Sequence, residues 1–143
     1  MKELTAAQVF AADDCRIEKL EIPQWDGFVY VKTLTSADRD QWEEDVVAAR
    51  GRNENPNARA RLAVLAVCDS TGRELFTAKD IDRLAAKSGA ALDLILEKAR
   101  DLNKITDQDL ADLEKNSESA TTDSPGTGSV SRSASRSRKR SSR

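Results

Sequence analysis

Three times in this chain a threonine stands three residues ahead of an aspartate at the opening of an apolar stripe: Thr35 and Asp38, Thr77 and Asp80, Thr106 and Asp109. At that spacing the Thr hydroxyl can accept an N–H from the first helical turn while the carboxylate reaches back to the Thr N–H, so two donors that a helix start leaves open are satisfied. Each pair therefore marks a helix start, and together they commit most of the chain beyond residue 34 to helices. The first predicts a helix to about Arg50, with Trp42, Val46 and Ala49 on one face and Arg39 and Glu43 paired at i,i+4 on another. Gly51 and the polar run Arg52 to Asn57, with Pro56 inside it, end that helix. The second predicts a helix sharing Ile81, Leu84 and Ala85 on one face and ending near Ser88-Gly89. Ser88 in turn caps a longer helix with a stripe of Leu92, Ile95, Leu96, Ala99 and Leu102, and the third pair carries Leu110 and Leu113 before the pattern stops at Asn116.

Ahead of these helices the periodicity is different. Thr5 caps a short helix over Ala6 to Ala12, with Val9 and Phe10 as its apolar side, and Asp13 and Asp14 end it. Arg16 to Ile22 mixes charge and apolar residues as a half-buried strand does, and it stops at Pro23. Trp25-Asp26-Gly27 is a turn signal, because Asp-Gly supplies positive φ, and Phe28 to Leu34 is β-branched and aromatic. The two runs predict a β-hairpin. Ala58 to Cys68 reads as a buried helix, with a central strand as the alternative because Val64 and Val67 suit one. Asp69 to Arg73 is a turn, and Leu75-Phe76 after it is a short apolar element that packs as a strand or as a staple on the next helix.

From Ser117 onward Ser, Thr, Gly, Pro and Arg dominate and Val130 is the one sizeable apolar residue, so no face exists to bury and disorder is expected. The expected organisation is thus an α+β, mainly helical small domain over residues 1–116 with one N-terminal β-hairpin, followed by a disordered Ser/Arg-rich basic tail over 117–143. An aromatic content of 4% argues against a sheet sandwich. Residues 117–143 hold six Lys/Arg against two acids in a chain of net charge −2, so the body is acidic and its surface is not suited to phosphate.

Catalytic chemistry finds little to work with. The chain has no His, which removes the commonest general base and the commonest metal ligand. Cys15 and Cys68 are isolated and read as buried or half-buried free thiols in a reducing compartment, since a zinc site would need two carboxylates to complete it. The acids at Asp13-Asp14, Glu43-Glu44-Asp45 and Asp107 to Asp109 lack the spacing of a calcium loop and sit where caps and exposed faces use acids anyway. No glycine cluster could cradle a phosphate, and no activated Ser or Thr is in sight. An enzyme is not expected, nor any metal or cofactor. The longest apolar run, Leu62 to Cys68, is far short of a membrane span, and the start carries acids where a signal peptide would not, so a cytoplasmic protein is expected.

Three features could serve recognition. Trp25 and Trp42 would suit stacking on a partner if exposed, but core packing is the expected role. The Leu92 to Leu102 stripe is first a core face, and it becomes a groove for a partner helix only where the body leaves it uncovered. The tail Ser131 to Arg143 looks like an arginine–serine segment, which keeps open a nucleic-acid-binding or phosphorylation-regulated adaptor, although no RNA-binding fold accompanies it. A second origin fits as well. With Ser encoded TCN and Arg CGN, a reader slipping back one base meets NCG at Ser→Arg junctions, encoding Ala, Pro, Thr or Ser, and NTC at Arg→Ser junctions, encoding Leu, Val, Ile or Phe. The arginine–serine tract would then give way to an alternating small and apolar extension suited to burial.

From Glu18 to about Asn116 the chain resembles the tail assembly chaperones of long-tailed bacteriophages. The resemblance is carried, in order, by Ile22-Pro-Gln-Trp25 leading into Val29-Tyr-Val31, Leu34 to Arg39, Ala58 to Leu62 running to Val67-Cys-Asp69, Gly72 to Phe76, and Leu92 to Leu102 with Asn103 and Leu110 after it. It implies a non-catalytic partner of the long, helical, aggregation-prone tape measure protein, kept soluble while tail tube subunits polymerise around it. It also implies a longer product made by a −1 ribosomal slip near the end of the gene, with that longer form and the major tail protein as further partners. Activity in the host cytoplasm and absence from the mature virion follow. The family has no signature site, so partner-binding residues stay unassigned, with the N-terminal helix and the Leu92 to Leu102 helix as candidates.

Overall fold

The computed structural model describes residues 1–122. Along the chain run α1 (Ala6–Ala11), β1 (Ile17–Ile22), β2 (Gly27–Lys32), α2 (Ser36–Gly51), α3 (Ala58–Ala66), β3 (Val67–Cys68), α4 (Ile81–Ala85), α5 (Gly89–Asn103) and α6 (Asp107–Thr122). This is the expected mainly helical α+β domain.

Pro23–Trp25 forms a single 3-10 turn between β1 and β2, and Asp26 alone takes the left-handed conformation, at φ 50°, while Gly27 already belongs to β2. The connection is therefore a longer turn than a two-residue Asp-Gly hairpin. β1 and β2 pair antiparallel from Ile17 opposite Lys32 to Ile22 opposite Gly27. The hairpin does not stand alone. Val67 leaves α3 in an extended conformation and β3 pairs antiparallel with β2, Val67 opposite Val31 and Cys68 opposite Tyr30, giving a three-stranded sheet of order β1-β2-β3. The Ala58 to Cys68 segment thus divides: helix to Ala66, strand for its last two residues. The free edge of β2 supplies the reason, since its outward main-chain groups need partners once buried against the helices.

Helix α3 is the centre of the core. Ala60, Leu62, Ala63, Val64 and Ala66 are all buried, and Arg59 and Arg61 are its only charged residues, Arg59 exposed and Arg61 half-buried. One side packs with Ile22, Val67, Leu84, Leu92 and Ile95, the other with Val31, Trp42, Val46 and Ala99. Trp42 is 2% exposed and its indole N–H donates to the Ala58 carbonyl at 3.1 Å, so the ring is buried without an orphaned donor.

The caps form as the spacing predicts, with one qualification. Thr106 and Asp109 exchange bonds of 3.1 and 2.8 Å, and the Thr77 N–H reaches Asp80 at 2.9 Å in a reciprocal box. Thr35 accepts the Asp38 N–H at 3.1 Å, making the hydroxyl half of that box. Ser88 caps α5. Ala85, expected on the apolar face of α4, is exposed. Helix α6 runs beyond Asn116 to Thr122, so the backbone of 117–122 is helical where no apolar face was available to favour it; propagation from an established helix adds a bond per residue fixed. The rest of the expected disordered tail, 123–143, lies outside the described residues.

A polar clamp joins the sheet to the helices. Asn103, at the end of α5, accepts the Leu34 N–H at 2.7 Å and donates to the Ala99 carbonyl at 2.8 Å. Arg39 donates to the Asn103 carbonyl and pairs with Asp109 at 3.3 Å, tying α2, α5 and the start of α6 together.

Candidate partner-binding surface

The N-terminal helix is held by local caps and buries no residue against the body. Thr5 and Gln8 form a full capping box, with the Thr5 N–H donating to Gln8 Oε1 at 2.9 Å and the Gln8 N–H to Thr5 Oγ1 at 3.3 Å. Leu4 precedes the cap and Val9 stands four residues into the helix, the two positions of a hydrophobic staple. No residue of α1 is buried. Phe10 is 86% exposed, and Leu4 and Val9 are about half exposed at 53% and 52%. Six residues make a marginal helix in water even when capped. An uncovered Phe, Val and Leu on such a helix form a surface with apolar area to give to a partner.

A second uncovered surface is the sheet face turned away from α5. The register places Ile17, Lys19 and Glu21 of β1 on that face with Phe28, Tyr30 and Lys32 of β2, while Leu20, Ile22, Val29 and Val31 point into the core. Phe28 and Tyr30 meet edge to face, with ring centroids 5.8 Å apart, and Lys19 Nζ lies 4.3 Å from the Phe28 centroid. Ile17 and Phe28 remain exposed on it. The loop after β3 bounds this face. Asp69 accepts the N–H groups of Thr71 and Arg73 and the Thr71 hydroxyl, which hold its carboxyl below the usual aspartate range, the Thr71 hydroxyl contributing most. Gly72 turns there at φ 91°, and a side chain in its place would meet Ile17 Cδ1 at 3.1 Å.

The other candidates resolve differently. In the Leu92 to Leu102 stripe, Leu92, Ile95 and Ala99 are buried in the core, while Leu96 and Leu102 are half-buried. A cleft of about 200 Å³ between α2, α5 and α6 is lined by Trp42, Val46, Leu96, Leu110 and Leu113. Trp25 is half-buried against the core and Trp42 is inside it, so they are not an exposed pair. Leu75 is exposed while Phe76 packs on the core, with Cys68 and Glu74 making one bridge before them.

The acidic runs do not converge. Glu43 pairs with Arg39 at 3.4 Å, Asp45 accepts from Gln41 at 2.9 Å and Asp107 pairs with Arg100. Asp109 is held below the usual aspartate range, first by the Thr106 N–H, then by its hydroxyl, with Arg39 adding a smaller push. Among the described residues no three His, Cys, Asp or Glu lie close enough to hold a metal. Cys68 is buried, and burial pushes its thiol up, while Cys15 is exposed, contrary to the expectation that both would be at least half-buried. Asp13 and Asp14 beside it are also exposed, since the chain between α1 and β1 runs over the surface. No described helix is long and apolar enough to cross a membrane.

Residues 4–117 match a family described as phage tail assembly chaperone. Among solved structures, the tail assembly chaperone of bacteriophage HK97 shares the fold, at 21% identity and a TM-score of 0.52, over 71% of this chain and 95% of that one. No curated protein matches the chain.

Proposed function

Because the chain belongs to the phage tail assembly chaperone family, we propose that it binds the tape measure protein of its phage and keeps it soluble until tail tube subunits assemble around it. The observation that carries this reading is α1, a capped helix with no buried residue that presents Phe10, Val9 and Leu4 to solvent. A tape measure protein is a long helical chain whose apolar faces have no partner before assembly. Transient cover of those faces by α1 and by Ile17 and Phe28 on the open sheet face would suppress their aggregation. Affinity then comes from buried apolar area, and modest area keeps off-rates fast enough for release. No nucleotide or metal enters this mechanism, and the role is not enzymatic.

The remaining partners follow from the same reading. If Ser is encoded TCN and Arg CGN in the arginine–serine tract, a −1 reading gives an alternating small and apolar extension, so a longer form of the chain would share the domain and add a segment suited to a partner, and the major tail protein is a further expected partner. The work is done in the host cytoplasm, and the chaperone leaves before the virion is complete. Co-expression with the tape measure protein tests the proposal: the tape measure protein should move into the soluble fraction and co-purify with this chain. An unchanged soluble fraction with no co-purification overturns it. The gene's nucleotide sequence tests the longer form, which requires a slippery heptamer before the tail and an open −1 frame beyond it.

A further inference from the structure

Strand β1 has a partner on one side only, since the sheet order is β1-β2-β3. The Thr33 N–H donates to the Arg16 carbonyl at 2.9 Å, which makes Arg16 and Thr33 a hydrogen-bonded pair. Alternation along an antiparallel ladder then turns the main-chain groups of Glu18, Leu20 and Ile22 toward β2 and those of Ile17, Lys19 and Glu21 outward. Among the described residues none of these outward groups has a backbone partner. Their side chains lie on the open sheet face, with Lys19 and Glu21 51% and 80% exposed.

We propose that β1 pairs antiparallel with β1 of a second copy across a two-fold axis, with Leu20 opposite Leu20 of the second copy. In this register Lys19 of each chain stands directly opposite Glu21 of the other. These are also two of the positions whose N–H and C=O groups point outward, so hydrogen-bonding phase and charge select the same alignment. A slip of one pairing step in either direction sets Lys19 against Lys19 or Glu21 against Glu21, and like charges directly opposite one another oppose pairing. Pro23, at the next outward position, has no N–H and ends the ladder. The Lys19 ammonium lies 4.3 Å from the centroid of the Phe28 ring on the inner strand β2 and 4.0 Å from Glu21 of its own strand, and pairing exchanges the latter contact for Glu21 of the second copy. Charged residues on an edge strand ordinarily deter pairing, and here their order makes one self-pairing complementary while penalising its neighbours. The interface is short compared with the ~1,600 Å² of a standard stable complex, so the dimer is weak and concentration-dependent.

Sedimentation equilibrium of the full chain, from micromolar to millimolar concentration, tests this. The parent should associate reversibly to dimers. Lys19→Glu and Glu21→Lys, each at an exposed position, should weaken dimerisation roughly tenfold or more when measured alone, because both create two like-charge pairs. Mixed together they should recover association as a heterodimer, because an all-acidic edge then faces an all-basic one. A parent that stays monomeric at millimolar concentration overturns the proposal. So does unchanged dimerisation of either variant, or a mixture no more associated than its components, each of which would place any self-association elsewhere.

Discussion

Replacing Phe10 by alanine separates the two things a residue on α1 could do. The ring is 86% exposed and no residue of its helix is buried, so folding gains almost nothing from it and surface changes of this kind stay within about 0.5 kcal/mol. Alanine keeps the helix intact, since the capping box of Thr5 and Gln8 is untouched and Ala is the best helix former. The melting temperature should therefore shift by no more than about 2 °C. Binding is a different matter. Burial of a Phe ring against an apolar client face is worth about 1.5–3 kcal/mol, which corresponds to a loss of roughly 10- to 100-fold in affinity when it is removed. Thermal unfolding by circular dichroism gives the first quantity, and titration of a labelled helical tape measure fragment gives the second. A large drop in melting temperature would mean that α1 packs on the body. Unchanged affinity at unchanged stability would remove α1 from the contact surface and with it the main structural support for the proposed mechanism.

Other consequences are equally direct. Asn103→Ala removes the acceptor of the Leu34 N–H at a backbone position with little access to water, and a loss of about 1–3 kcal/mol is expected in urea unfolding; a loss below ~0.5 kcal/mol would mean that water replaces the amide there. Asp69 and Asp109 both have carboxyls held below the ordinary 3.8, so their contribution to stability is present above that value and is lost as pH falls through their lower folded-state values. Asp109→Asn should accordingly flatten part of the fall in melting temperature below pH 4, and an identical acid profile would discount the Thr106 cap as its source. Cys15 should react with iodoacetamide in the native protein while Cys68 reacts only on unfolding, as read by mass spectrometry; labelling of both at similar rates would contradict the packing of β3 under its loop.

What was legible in the sequence was chiefly what local chemistry decides. The Thr and Ser caps at residues 5, 35, 77, 88 and 106 are short-range devices, and each marks a helix start in the structure. The stripes Trp42-Val46-Ala49 and Leu92-Ile95-Ala99 face the core because each helix has one wet side, and periodicity records that. Helix α3 is buried over most of its surface, with only Arg59 exposed, so its periodicity is weak, and the two-residue strand after it exists only because β2 offers a free edge there. The clamp at Asn103 reaches Leu34 across 69 positions of chain, and an Asn at a helix end leaves no local sign of a distant acceptor role. The candidate surface was half legible. Val9 and Phe10 could be read as one side of a short helix, but whether the body would supply a face to cover them depends on the tertiary arrangement. That arrangement also put Leu92, Ile95 and Ala99 of the Leu92 to Leu102 stripe into the core and left Leu96 half-buried beside the cleft.

The most direct test of the central claim uses purified components. Tape measure protein diluted out of denaturant should scatter light as it aggregates, and this chain, added at increasing molar ratio, should suppress the scattering until the client's apolar faces are covered. Phe10→Ala should need a markedly higher ratio for the same suppression. If scattering proceeds unchanged with a large excess of folded chain present, the chain does not hold this client in solution and the account of its function is wrong.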